Sequence, residues 1–222
     1  MTFSLLGRCA RTGMLGAAVT TSAIAVGSRC NFARAGIGAV LTQHRTDPRL
    51  GPLGLDLLAR GSDAGHAVRA MIAATPHQEW RQLAVLDANG RTASFSGRHV
   101  KPEQGEAHGT SSVAIANIVR SAALPAAMTQ AFEQAPGQPL PERLLAALFA
   151  GAEAGGEFRP LVSAALLVVH RESFPYVDLR IDRSERPIEA LAELWEAYRS
   201  EADAYVQRAI DPDRATPPDA QT

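Results

Sequence analysis

The sequence contains a single lysine, Lys101, although lysine and arginine together number 22. Schiff-base chemistry, a phosphate-binding loop with its lysine and a Ser–Lys dyad all require a lysine within a specific motif. Lys101 lies in GRHVKPEQGEAHG, a polar stretch that matches none of these motifs. The sequence therefore disfavours all three of these enzyme classes.

Cysteine is also scarce, because Cys9 and Cys30 are the only two in the chain. They form no C-x-x-C motif and lack the spacing typical of zinc ligands. We expect two buried free thiols, since a free cysteine usually behaves as a small apolar residue. A disulfide between them is the alternative, and it would require an oxidising compartment.

The sequence has little net charge and no long apolar run. Its formal net charge is −1, with no basic stripe of the kind that nucleic-acid-binding proteins carry. No stretch approaches the roughly 20 apolar residues of a membrane-spanning helix. We therefore expect a cytoplasmic protein that binds neither nucleic acid nor membrane and acts on a small molecule or peptide. A homodimer is compatible with this composition.

Several motifs of enzymes and cofactor-binding proteins are absent. The sequence contains no G-x-S-x-G, H-E-x-x-H or G-x-x-x-x-G-K-[ST], and GIGAVL lacks the third glycine of a dinucleotide-binding loop. A metal site would have to use His99, Glu103, Glu106 and His108, whose spacing fits no rigid element. We expect this stretch to be a solvated loop, and we predict neither a metal nor a cofactor.

The order of local patterns predicts an α+β protein. Strand-like runs open the chain, and RQLAVLDANGRTASFSG predicts a hairpin around Asn89-Gly90. Ser62 is a candidate N-cap for the helix that follows it. Further helices are expected at 122–133 and 141–154, then two strands in VSAALLVVH and FPYVDLRID, then a helix that begins at Pro187. We predict one domain over 1–210 and a disordered tail over 211–222.

The opening stretch MTFSLLGRCARTGMLGAAVTT has two interpretations. As a secretory leader it fits poorly, because its arginines come late and its apolar run is interrupted by Thr20, Thr21 and Ser22. As a hairpin it would place Thr2 at the start of a strand. If Met1 is removed, the α-amino group of Thr2 could accept the proton of its own hydroxyl, because such an amine has a pKa of about 7.7–8.0.

The stretch from Thr2 to Leu58, together with RQLAVLDANGRTASFSG, VAIANIV, SAALLVV and FPYVDLRID, resembles a bacterial and archaeal domain-of-unknown-function family classed with the N-terminal nucleophile (Ntn) hydrolases. The resemblance implies a four-layer αββα sandwich, in which two antiparallel sheets lie between helical layers. It implies Thr2 as nucleophile, Asn117 as an oxyanion donor and Arg34 as a fixed positive charge beside the nucleophile.

Other polar residues are candidates for substrate binding. Thr21 and Ser22 end the second strand, Gln43 follows the third, and Asp178 lies on the last. Strand-end hydrogen bonds, a loop cap and a salt-bridged face are the alternative roles for these side chains. We expect an Ntn-type amidohydrolase that cleaves a small amide or peptide-like substrate. The alternative is a non-catalytic ligand-binding or accessory protein with the same fold.

Overall fold

Two antiparallel sheets form the centre of the computed structural model, which describes residues 1–215. Sheet A has the strand order β10-β9-β2-β1-β8-β7, and sheet B has the order β3-β4-β5-β6. The strands are β1 (Thr2–Arg8), β2 (Leu15–Thr21), β3 (Asn31–Arg34), β4 (Gly38–His44), β5 (Arg81–Asp87), β6 (Thr92–Ser96), β7 (Gln104–His108), β8 (Ser112–Asn117), β9 (Ser163–Val169) and β10 (Val177–Ile181).

Six helices complete the described part of the chain. They are α1 (Leu50–Ala59), α2 (Ala64–Ala73), α3 (Leu124–Gln134), α4 (Leu140–Glu153), α5 (Pro187–Tyr198) and α6 (Ala202–Ile210). Helices α1 and α2 pack on sheet B, whereas α3, α4 and α5 pack on sheet A. The protein is therefore a mixed α+β fold with two antiparallel sheets, as expected from the order of local patterns.

Alternation along β1 explains how sheet A buries both faces. Phe3 and Leu5 pack against α3 and α4, whereas Leu6 contributes to the apolar cluster between the two sheets. Successive side chains on a strand point to opposite faces, so Thr2 and Ser4 share the inter-sheet face with Leu6. The side chain of Thr2 thus lies at one end of the space between the sheets.

The opening of the chain is a hairpin of two paired strands. All residues of β1 pair with β2, from Thr2 opposite Thr21 to Arg8 opposite Leu15. Gly13 in the connecting loop has φ 75°, a left-handed conformation that glycine adopts at little cost. The predicted hairpin is confirmed, and so are the hairpin of β5 and β6 and the pair of β9 and β10.

The structure also differs from the sequence predictions in three places. β7 occupies part of the stretch that was expected to be a loop, and β3 is an additional strand before β4. The N-cap of α2 is Asp63, not Ser62, because the Asp63 carboxylate accepts the backbone N–H of His66 at 2.7 Å. Each difference results from hydrogen bonds in the folded chain: the pairing of β7 with β8, the pairing of β3 with β4, and the bond of Asp63 with His66.

The last part of the chain continues beyond α5 with α6 and a short 3-10 turn, Pro212–Arg214. Most of the tail predicted at 211–222 lies outside the described residues. Cys9 and Cys30 are both buried free thiols, as expected. Within residues 1–215, no helix combines the length and the apolar character needed to cross a bilayer.

Candidate functional site

Thr2 is the first residue of β1, a central strand of sheet A that lies between β2 and β8. Its cross-strand partners are Thr21 on β2 and Asn117 on β8, and all three residues are buried. Side chains of directly opposed residues in an antiparallel pair lie about 5 Å apart on the same face. Pairing of the strands therefore gathers two hydroxyls and one carboxamide at one end of the inter-sheet space.

Both hydroxyls contact the carbonyl group of Met1. The Thr2 hydroxyl donates to the Met1 carbonyl oxygen at 2.5 Å, and the Thr21 hydroxyl donates to the same oxygen. The two hydroxyl oxygens are 3.2 Å apart. A carbonyl group at this position is thus held by two donors, one of which belongs to the predicted nucleophile.

Asn117 belongs to a buried amide network that joins the two sheets. Its Nδ2 donates to Gln82 Oε1 at 3.0 Å, and Gln43 Nε2 donates to the same oxygen at 2.7 Å. Gln82 is oriented by its own donation to the carbonyl of Ala116, and Gln43 accepts the Ser4 hydroxyl. This network fixes the carboxamide of Asn117. The second Nδ2 hydrogen takes no part in the network, and Oδ1 is buried without a hydrogen-bond partner among residues 1–215.

Glu157 is a buried carboxyl beside this group that the sequence analysis did not identify. It follows α4, is 6% exposed, and accepts the backbone N–H of Ser22 through Oε2 at 3.1 Å. Burial raises the pKa of Glu157 to about 7, and its hydrogen bond with Ser22 and the charge of the chain's amino group oppose that shift. In the described part of the chain, Oε1 has no hydrogen-bond partner.

The α-amino group of Met1 lies in the same region. Partial burial lowers the pKa of this amine, the negative charge of Glu157 raises it, and the positive charge of Arg159 lowers it. The Cys30 thiol is also close enough to interact, but burial raises the pKa of that thiol. Glu157 is therefore the acidic group that favours a cation at this position.

An imidazole and an indole border the site at the end of sheet B. His44, the last residue of β4, stacks on Trp80 with a ring separation of 6.3 Å and an interplanar angle of 8°. Its Nδ1 lies 2.9 Å from the Trp80 carbonyl oxygen, so this nitrogen carries the hydrogen. Burial lowers the pKa of His44, and the positive charges of the chain's amino group and Arg45 add to that effect.

Three of the predicted site residues are placed differently from the expectation. Arg34 pairs with Gly38 at the opposite end of β4 from His44, and its guanidinium bonds the Asp56 carboxylate of α1 at 2.9 Å. It cannot supply a charge beside Thr2 from there, because the six-residue offset along a strand corresponds to roughly 20 Å. Asp178 is exposed on the edge strand β10.

Gln43 is the third of these residues. It is fully buried inside β4, and both ends of its amide are hydrogen-bonded within the protein. Its side chain therefore belongs to the internal network and does not face a substrate. Ser22, in contrast, is adjacent to Thr21 and contacts Glu157 through its backbone. The structure thus brings together Thr2, Asn117, Thr21 and Ser22, and adds Glu157.

The candidate metal ligands are also dispersed. His108, on β7, bonds the hydroxyls of Thr92 and Ser94 across the gap between the sheet edges, at 2.7 and 2.8 Å. His99 lies beside Trp80, with ring centroids 4.9 Å apart. Within residues 1–215, no group of three or more His, Cys, Asp and Glu side chains is arranged to hold a metal ion.

Comparison with known proteins identifies one family. Residues 2–191 match the model of DUF1028, described as a family of unknown function. The crystal structure of protein SPO2555 from Silicibacter pomeroyi, also assigned to DUF1028, is 33% identical to the chain. It superposes with a TM-score of 0.82 over 89% of this chain and 88% of that chain. No curated protein matches the sequence.

A second solved structure is much less similar. Anbu (ancestral beta-subunit) from Yersinia bercovieri is 11% identical, with a TM-score of 0.37 over 91% of this chain and 97% of that chain.

Proposed function

The chain belongs to DUF1028, a family of unknown function, and we propose that it is an amide hydrolase of the Ntn type with Thr2 as its nucleophile. The observation that carries the proposal is the buried Thr2 hydroxyl at the head of a central strand, opposite Thr21 and Asn117, where it donates to the Met1 carbonyl oxygen at 2.5 Å. Helices on the outer faces of two facing sheets support the four-layer αββα sandwich that such an enzyme requires.

The reaction begins once Met1 has been removed. The α-amino nitrogen of Thr2 then accepts the hydroxyl proton, directly or through water, and Oγ1 attacks the carbonyl carbon of the substrate amide. The C–N bond breaks, the amine leaves with a proton from the Thr2 ammonium group, and an ester to Thr2 remains. Water then hydrolyses this ester and releases a carboxylic acid.

Thr21 and Asn117 supply the donors for the negative charge that develops on the carbonyl oxygen. The Thr21 hydroxyl already donates to the Met1 carbonyl oxygen, and Asn117 is held by Gln82 with one Nδ2 hydrogen to spare. Donors that are fixed before the reaction stabilise an oxyanion at little reorganisation cost. Arg34 has no part in this mechanism, because its guanidinium is bound to Asp56.

The test combines mass measurement with a substrate screen. We expect the intact mass of the active protein to lack Met1, and we expect Thr2→Ala to abolish hydrolysis of amino-acid and acyl p-nitroanilides. Thr2→Ser should retain part of the activity, because it keeps a hydroxyl. Thr110→Ala is the matched control, since Thr110 is an exposed threonine beyond the opposite end of β8.

Two results would contradict the mechanism. A purified protein that cleaves amides while it retains Met1 would show that the Thr2 amine is not the base. Full activity of Thr2→Ala would show that Thr2 is not the nucleophile. If wild type and Thr2→Ala bind the same ligands and neither cleaves any substrate, the non-catalytic alternative is favoured.

A further inference from the structure

Met1 fills the space beside the hydroxyls of Thr2 and Thr21, where the proposed mechanism requires the acyl part of a substrate. Its carbonyl oxygen accepts hydrogen bonds from the hydroxyls of Thr2 and Thr21, the same groups that the proposed mechanism directs at a substrate carbonyl. When Met1 is absent, both hydroxyls lose this acceptor and the volume that Met1 fills becomes available. A substrate carbonyl oxygen beside Thr21 would accept the hydrogen bond that the Met1 carbonyl oxygen accepts from this hydroxyl.

The group attached to that carbonyl in Met1 is an amino acid with a free α-amine. The amine lies in a partly buried region where Glu157 attracts it and Arg159 opposes it. Glu157 uses Oε2 to accept the Ser22 N–H, and its buried Oε1 has no hydrogen-bond partner within residues 1–215. A buried carboxylate oxygen without a donor is unfavourable unless a ligand or water supplies one.

We propose that the site accepts α-aminoacyl amides, and that Glu157 binds the ammonium group of the substrate while Thr21 holds its carbonyl oxygen beside the Thr2 nucleophile. This inference rests on the proposed function, because it names the substrate class of the same site. An ammonium group donates to carboxylates through short, charge-assisted hydrogen bonds. An acylated amine lacks both the charge and the donors, so the site discriminates against N-acyl compounds.

Binding is measured separately from hydrolysis, with L-methioninamide as the probe and N-acetyl-L-methioninamide as its matched control. The protein carries Thr2→Ala and is released from a cleavable N-terminal fusion so that the chain begins at residue 2, which intact mass verifies. Isothermal titration then reports affinity without turnover. We expect L-methioninamide to bind at least about tenfold more tightly than its N-acetyl form, the factor that one charge-assisted hydrogen bond supplies.

Variants of Glu157 assign this preference to one side chain. Glu157→Gln should remove the preference for the free amine, whereas Glu157→Asp should retain part of it, because the carboxylate is kept on a shorter side chain. Glu193→Gln, on the exposed face of α5, controls for the loss of one negative charge. Thermal melting of each variant establishes that the fold is intact, and the Asp variant serves as the test if the Gln variant does not fold.

The outcomes separate the two proposals. Equal affinity for the two amides, binding of neither, or an unchanged preference in Glu157→Gln would overturn the aminoacyl assignment. If L-methioninamide binds through Glu157 but wild-type protein without Met1 cleaves no aminoacyl p-nitroanilide, the aminoacyl site stands and the hydrolase proposal fails. Cleavage of N-acyl but not of free-amine anilides would leave the hydrolase standing and refute the aminoacyl site.

Discussion

The buried carboxyl of Glu157 makes the stability of the fold depend on pH. Its pKa is about 7 in the folded protein, against 4.5 for an ordinary glutamate, chiefly because burial disfavours the charged form. Below the lower value, Glu157 is protonated in both states and burial carries no ionic penalty. As the pH rises from 4.5 to about 7, the unfolded chain loses this proton more readily, so the free energy of unfolding falls.

The size of the effect follows from the difference between the two pKa values. Each pKa unit corresponds to about 1.4 kcal/mol, so the full penalty above pH 7 is about 3 kcal/mol. Glu157→Gln removes the titration but keeps the shape of the protonated acid and an oxygen that can accept the Ser22 N–H. The variant should therefore gain stability relative to wild type by about 2–3 kcal/mol between about pH 5 and about pH 8.

Urea unfolding of both proteins at the two pH values measures this quantity, because groups common to both cancel in the comparison. Glu193→Gln removes an exposed carboxylate and should show no such change. If the stability difference between Glu157→Gln and wild type is the same at both pH values, the carboxyl does not titrate in this range. Burial would then not raise the pKa of Glu157 to about 7.

Two further predictions concern residues around the site. Gln82→Leu should cost about 2–4 kcal/mol in urea unfolding, because it leaves the buried amide donors of Gln43 and Asn117 without their shared acceptor; a cost under about 0.5 kcal/mol would show that the network adds little stability. Arg34→Gln should leave hydrolysis and ligand binding unchanged and lower the free energy of unfolding by at most about 1 kcal/mol, because the ion pair of Arg34 with Asp56 is exposed. A large loss of activity would show that Arg34 acts in the site.

The strands and helices that could be predicted are those with a strong local signal. The hairpin of β5 and β6 has an Asn-Gly turn between two β-prone runs, and α3 and α4 repeat apolar residues at helical spacing. β7 has the sequence QGEAH, which carries no such signal. It is a strand because it pairs with β8 at the edge of sheet A, and that neighbour is not visible in the local sequence.

The residues of the candidate site also divide into those that the local sequence indicates and those that it does not. Thr2 was proposed from its place after Met1, and the pairing of β1 with β2 and β8 explains why Thr21 and Asn117 lie beside it. Glu157 lies in a glycine-rich stretch after α4, where an acidic residue is ordinarily solvated. Its burial results from tertiary packing, so no pattern along the chain predicts it. Arg34 was misplaced because its position along the chain does not reveal which end of sheet B it occupies.

Met1 affects catalysis and binding through different atoms, so its two effects can be separated. While Met1 is attached, the nitrogen of Thr2 is an amide nitrogen and cannot act as a base. The hydroxyls of Thr2 and Thr21 meanwhile donate to the Met1 carbonyl oxygen, and the amine of Met1 lies in the region beside Glu157. A chain that begins at residue 2 with Thr2→Ala regains the binding region but not the nucleophile. Retention of Met1 should therefore abolish both L-methioninamide binding and hydrolysis, whereas Thr2→Ala should abolish hydrolysis alone.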